Sequence, residues 1–128
     1  MNVYKLKVLS REKLDAIRKN LRGIPPSDRI LILSPKEIKS NNGLIIKQSD
    51  DAVPRRGQIL QLSEVSELYD SFKDLLEVGN VVTYGMYAGK ELHLPYLEIP
   101  DQDNFTISVL SLNEVLYIEK LTEDDYEN

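Results

Sequence analysis

Between Ser10 and Leu21 the apolar residues Leu14, Ile17 and Leu21 recur at i, i+3 and i+7, with Lys, Arg, Glu and Asp on the remaining positions. That is the period of an amphipathic helix. Its ends agree, since Ser10 can cap the first turn while Gly23 and Pro25-Pro26 stop the last. From Arg29 onward this period gives way to short aliphatic runs at Ile30–Leu33, Gln58–Leu62, Val81–Tyr84 and Thr106–Leu110, punctuated by Gly, Pro, Asn and Asp. Runs of that length and spacing predict strands, so the chain reads as mainly β. One stretch returns to helical spacing: Leu68, Phe72 and Leu75 within Val65–Leu76 predict a short helix or structured loop. The leading helix reads more simply as a lid packed on its own barrel or a neighbour than as a docking helix.

Pro35–Pro54, PKEIKSNNGLIIKQSDDAVP, breaks the strand pattern. It is long, mostly polar and bounded by prolines, yet it places Leu44, Ile45 and Ile46 in succession. One face of a sheet cannot hide three consecutive aliphatics. Asn42-Gly43 is a strong hairpin signal, because both residues tolerate the positive φ of a type I′ turn. The segment therefore presents an apolar turn at its tip or folds as a plain hairpin whose aliphatics enter the core. The residues alone favour the second.

Composition narrows the classes. The chain has 128 residues, enough for one domain with a core. Its net charge of -5 argues against a general nucleic-acid binder, which needs a basic stripe to replace phosphate counterions. Glu123, Asp124, Asp125 and Glu127 carry much of that charge, leaving the body nearly neutral. There is no cysteine, which fits a reducing cytoplasm and removes disulfides and thiolate metal sites. Apolar runs of a few residues predict neither a membrane span nor a signal peptide.

Five segments together resemble the GroES-type co-chaperonin family. Glu77–Leu92, EVGNVVTYGMYAGKEL, resembles its VGD-x-V-x-(F/Y)-G-x-Y-A-G-x-E signature. Asp28–Leu33 is similar to the opening DRV strand, Gly43–Ile46 to the Gly-plus-three-aliphatics loop motif, Pro54–Leu60 to the strand that re-enters the barrel, and Leu112–Ile118 to the closing strand. Their order and spacing make the match specific over residues 27–121. The resemblance implies an all-β fold in the main: an irregular GroES-like barrel with a long mobile loop at about 35–54, an N-terminal extension over 1–26 with the helix, and an acidic tail over 122–128. Where the family has a roof hairpin this chain has LSEVSELYDSF, which implies a helical insertion in its place. Asn80 stands for the usual aspartate, and Asn42 for a frequent glycine.

The resemblance also implies function. A homo-oligomer, heptameric in the family, caps a GroEL-type chaperonin and encloses unfolded client protein. Gly43, Leu44, Ile45 and Ile46 would enter the chaperonin apical domains, in a loop disordered when free and folded into a hairpin when bound. Tyr87 would face the cage, although from the residues alone it reads equally well as a cross-strand packing aromatic. Adjacent subunits would pair their first and last strands through Arg29, Ile30, Leu31 and Ile32 and through Val115, Leu116 and Ile118. No cofactor is expected, because ATP is bound and hydrolysed by the partner, and the chain has no phosphate-cradling G-x-x-x-x-G-K-S/T loop. The expected location is the cytoplasm, that of the host if a bacteriophage encodes the chain. A phage origin, with a bulky capsid protein as client, is suggested by the remodelled roof; a divergent bacterial or organellar member is the alternative. The rival function is a β-barrel adaptor or virion structural protein with no chaperonin partner.

No enzyme is expected. His93, the single histidine, lies between two leucines and reads as a satisfied strand residue and not a metal ligand. Asp101 and Asp103 lack the other positions of a calcium loop and read as a solvated turn. No serine sits in a nucleophile-elbow setting.

Overall fold

The structure, a computed structural model, describes residues 4–5, 8–40, 45–47, 55–63, 74–99 and 102–122, with only the backbone described at 4–5, 37–40 and 45–47. The helical period forms helix α1, Arg11–Lys19, and Ser10 caps it by accepting a hydrogen bond from the Lys13 amide at 3.3 Å. Asn20 closes its C-terminal end, so Leu21 lies outside the helix and packs half-buried against the core. The helix expected across Val65–Leu76 falls mostly outside the described residues; Asp74 and Leu75 form a turn.

The aliphatic runs become antiparallel strands. In chain order they are β1 (Tyr4–Lys5), β2 (Arg29–Pro35), β3 (Glu37–Ser40), β4 (Ile45–Lys47), β5 (Arg55–Leu62), β6 (Val81–Tyr84), β7 (Lys90–Leu92), β8 (Phe105–Ser111) and β9 (Val115–Glu119). Six of them form one sheet in the order β7-β8-β2-β5-β6-β9, and β1-β3-β4 form a separate small sheet. Short 3-10 turns at Gln102–Asn104 and Leu112–Glu114 flank β8.

Strand β2 explains how the core is divided. Successive strand residues point to opposite faces. Ile30 and Ile32 join Ile59, Val82, Tyr84, Leu110 and Leu112 in one cluster; Leu31 and Leu33 join Leu60, Phe105 and Ile107 in another. An antiparallel strand with one wet face would show polar residues at every second position. Here the second face is covered by Leu9, Leu14 and Ile17 of the leading segment and by Leu97, so the run is apolar without alternation. A register shift opposite Leu31 and Ile32 inserts Leu60 as an extra residue in β5, and the neighbours Ile59 and Leu60 serve different clusters as successive strand residues do.

This arrangement bears on the strand expected at a subunit contact. β2 is hydrogen-bonded on one edge to β5 and on the other to β8, with Arg29 paired to Ser111. Ile30, Leu31 and Ile32 are buried in their own chain. Within the single chain both backbone edges of β2 are thus occupied, and α1, by covering its outer face, places this run at the centre of the core.

Candidate functional site

The expected binding loop leaves the main sheet at a fixed point. After Pro35 ends β2, the Lys36 amide donates to the Asn104 carbonyl at 2.8 Å. β3 follows at once and pairs antiparallel with β4 in the register Glu37↔Lys47, Ile38↔Ile46, Lys39↔Ile45. The hairpin signal at Asn42-Gly43 therefore lies in the connection between these strands, although residues 41–44, with Gly43 and Leu44, are outside the described residues. Ile45 and Ile46 are the first residues of the returning strand. The loop is expected to be disordered when free; its stem is paired in the single chain. β1 adds to the other side of β3 through Tyr4↔Ser40 and Lys5↔Lys39. Nothing in the sequence pattern pointed to that third strand.

The Gly-rich signature folds as two tight turns around β6. Gly79 (φ 99°) and Gly89 (φ 76°) occupy the left-handed region that side chains disfavour. At Gly89 a Cβ would also stand 3.2 Å from the Val109 carbonyl oxygen, so a side chain there would push on β8 as well as strain the turn. The Ala88 amide donates to the Gly85 carbonyl at 3.1 Å, and this turn projects Tyr87, which is 90% exposed. Glu114 holds the turn from below: one carboxylate oxygen accepts from the Gly89 amide at 3.2 Å, the other from the Ser111 amide at 3.0 Å. Sequence reading passed over Glu114, although a glutamate three residues after Ser111 is the signal of a capping box.

Behind the signature lies a buried polar network. Gln58, 2% exposed, donates from Nε2 to the carbonyls of Leu9 and Gly79, both at 3.0 Å, and accepts from the Leu9 amide at 3.0 Å. Asn80, equally buried, donates to the Leu75 carbonyl at 2.7 Å and accepts from the Leu121 amide at 3.2 Å. A carboxylate accepts only. The asparagine that replaces the usual aspartate of the signature is therefore the residue this environment requires.

With β7 at the other end, β9 is one of the two edge strands of the main sheet. It pairs with β6 alone, the Arg56 guanidinium grips Glu119 at 2.7 and 2.9 Å, and its other side carries no strand among the described residues. Val115 and Ile118 pack half-buried on the core, while Leu116 and Tyr117 are 68% and 63% exposed. With Leu75, Leu76 and Leu112 they line an apolar groove of about 250 Å³. Val115, Leu116 and Ile118 were expected at a subunit contact; Tyr117, in the same closing segment, and Leu75, read as part of a helix or structured loop, were not named with them.

The remaining candidates carry little chemistry. His93 is exposed just after β7, and Asp103 sits in an exposed 3-10 turn; Asp101 lies outside the described residues. Among the described residues no group of three or more His, Cys, Asp or Glu side chains is placed to hold a metal. No described helix is long and apolar enough to cross a membrane.

Comparison with known proteins adds an independent finding. A family model for the chaperonin 10 Kd subunit matches residues 23–115. The co-chaperonin GroES of Bacteroides thetaiotaomicron is 35% identical over 71 residues, covering 55% of this chain and 76% of the relative. That of Thermotoga maritima is 29% identical over 97 residues, covering 75% of this chain and 94% of the relative.

Proposed function

Because the chain belongs to the family of 10 kDa chaperonin subunits, we propose that it is a co-chaperonin whose ring, heptameric as in the family, caps a GroEL-type chaperonin and encloses unfolded client protein. The observation that carries this reading is a pair of strands, β3 and β4, leaving the matched barrel between β2 and β5, with Ile45 and Ile46 opening the returning strand and Gly43 and Leu44 just before them in sequence. Those residues are the proposed contact with the apical domains. Tyr87, projecting from its turn, is the proposed cage-facing residue, and β9 with Leu116 is the proposed edge for a neighbouring subunit. Binding and hydrolysis of ATP are assigned to the partner, and the place of action to the cytoplasm. The stretch that replaces the family's roof hairpin supports a remodelled dome, which is the ground for proposing a bulky client such as a phage capsid protein.

The physical logic favours weak single contacts. Ordering a segment on docking consumes roughly 2–5 kcal/mol of gross interaction energy. One loop then binds loosely while several on a ring gain avidity without new contacts. Such a cap grips firmly and still lets go when the partner moves its binding grooves.

The test is co-migration of the purified protein with a GroEL-type chaperonin on a sizing column, with and without ATP or ADP. Nucleotide-dependent capture, lost in Ile45→Asp with an unchanged melting temperature, is the expected result. Unfolding of Ile45→Asp would place that residue in the core and move the contact elsewhere. Failure of capture by chaperonins from several hosts would overturn the co-chaperonin reading.

A further inference from the structure

We propose that the segment preceding the barrel is a strap that pre-forms the stem of the binding hairpin, with β1 holding β3 and β4 together before any partner arrives, while the ordering of the tip is left to docking. The proposal rests on the reading of that hairpin as the partner-binding element, and three observations carry it.

The strap is anchored. Val8 and Leu9 are buried, Leu9 is fixed through both its amide and its carbonyl to Gln58, and α1 is held down by Leu14 and Ile17. Arg18 adds a hydrogen bond from Nε to the Gln61 side chain at 3.0 Å. Lys5 is three Cα steps from Val8, so the end of β1 lies within roughly 11 Å of this fixed point.

The strap also completes a sheet. An isolated two-stranded hairpin is marginal in water, whereas a third strand brings independent stability within reach. β3 has β4 on one side and β1 on the other, in the order β1-β3-β4. Its start is tied to the barrel by the hydrogen bond from Lys36 to Asn104. The hairpin stem is thus held at its base by the barrel and at the far end of β3, through Lys39 and Ser40, by β1.

Finally, the strap takes the edge that docking does not need. β1 covers β3, and the strand that carries Ile45 and Ile46 is the outer strand of the small sheet. β1 therefore acts as a brace and not as a plug. A loop whose stem is already paired loses less freedom on docking, and that saving appears as affinity.

Two variants test the strap. One deletes residues 2–5, and the other, Tyr4→Pro with Lys5→Pro, keeps the length but removes both amide donors of β1. Both retain Val8, Leu9 and the helix. Hydrogen exchange read by mass spectrometry over residues 37–47 should accelerate roughly tenfold or more in each, with exchange in β5 and β8 unchanged. Capture by a GroEL-type chaperonin should weaken by about tenfold per loop, equal to about 1.4 kcal/mol. Unchanged exchange over 37–47 in both variants would overturn the strap. Faster exchange with undiminished capture would overturn its role in binding. If the unaltered protein is not captured at all, the exchange result still decides whether the strap exists, and only the co-chaperonin reading falls.

Discussion

The Gln58 carboxamide and the Leu9 backbone exchange two hydrogen bonds of 3.0 Å in the interior, so that a side chain in β5 takes the place of a neighbouring strand for the leading segment. The same Nε2 also reaches the Gly79 carbonyl, which joins the leading segment to the Gly-rich signature. Replacing Gln58 by leucine keeps the apolar volume and strands one buried donor and two acceptors. Each stranded group costs about 1–3 kcal/mol. Gln58→Leu should lose at least about 2 kcal/mol of stability in urea unfolding; a loss under about 0.5 kcal/mol would show that the leading segment is not fastened there.

Asn80 makes a sharper test, because the aspartate it replaces is the family's ordinary residue. Asn80→Asp removes the donor to the Leu75 carbonyl and buries a carboxylate. We expect a loss of about 1–3 kcal/mol at neutral pH. Burial raises the folded-state pKa of such a carboxyl above its unfolded value of about 3.9. The protonated acid can donate again, so the penalty is largest above the folded pKa and shrinks as pH falls toward about 4. Urea midpoints of both proteins at pH 4.5 and pH 7 would reveal this convergence, and parallel curves would contradict it.

The sequence made the strands legible because their aliphatic runs are short and their turns carry Gly, Asn and Pro. It made α1 legible through Leu14, Ile17 and the Ser10 cap. It did not reveal what α1 covers. The run Ile30–Leu33 shows in sequence that it is a strand, but not that both its faces are covered within one chain; that depends on the position of Leu9, Leu14 and Ile17 over Leu31 and Leu33. The third strand of the small sheet escaped notice for a different reason: β1 and β3 pair through backbone groups, which every sequence possesses. Gln58 and Asn80 were hidden because a polar residue in a strand or turn gives no sign of the carbonyl it will meet.

Tyr84 couples the barrel to alkaline pH. Its hydroxyl lies 2.8 Å from the Ser34 hydroxyl in the interior. Burial raises its pKa above the ordinary 10.0, against smaller opposing effects of the Ser34 hydrogen bond and the Arg55 charge. With the folded value raised, the unfolded chain releases this proton first. The contribution is fully present below pH 10.0 and is lost as pH rises toward the folded value. Tyr84→Phe should remove this component of alkaline destabilisation, at a cost of about 1 kcal/mol at neutral pH for the lost hydrogen bond. Thermal unfolding across pH 8–11.5 checks both parts, and identical slopes for the two proteins would exclude Tyr84 as their source.

The last prediction concerns β9. An unpaired edge bearing exposed Leu116 and Tyr117 beside an apolar groove is an aggregation hazard unless another chain covers it. Ring closure covers every such edge at once, whereas an open-ended stack always leaves one. Because Leu116 is mostly exposed, Leu116→Lys should change the stability of a single subunit by no more than about 0.5 kcal/mol. A charge placed against a partner's apolar surface should nevertheless disperse the ring. Light scattering after size exclusion should find a closed oligomer for the unaltered chain and predominantly monomer for Leu116→Lys, with similar far-ultraviolet circular dichroism. An unchanged oligomer would mean that β9 is not the contact, and that the apolar groove formed with Leu75 stays open in the assembly.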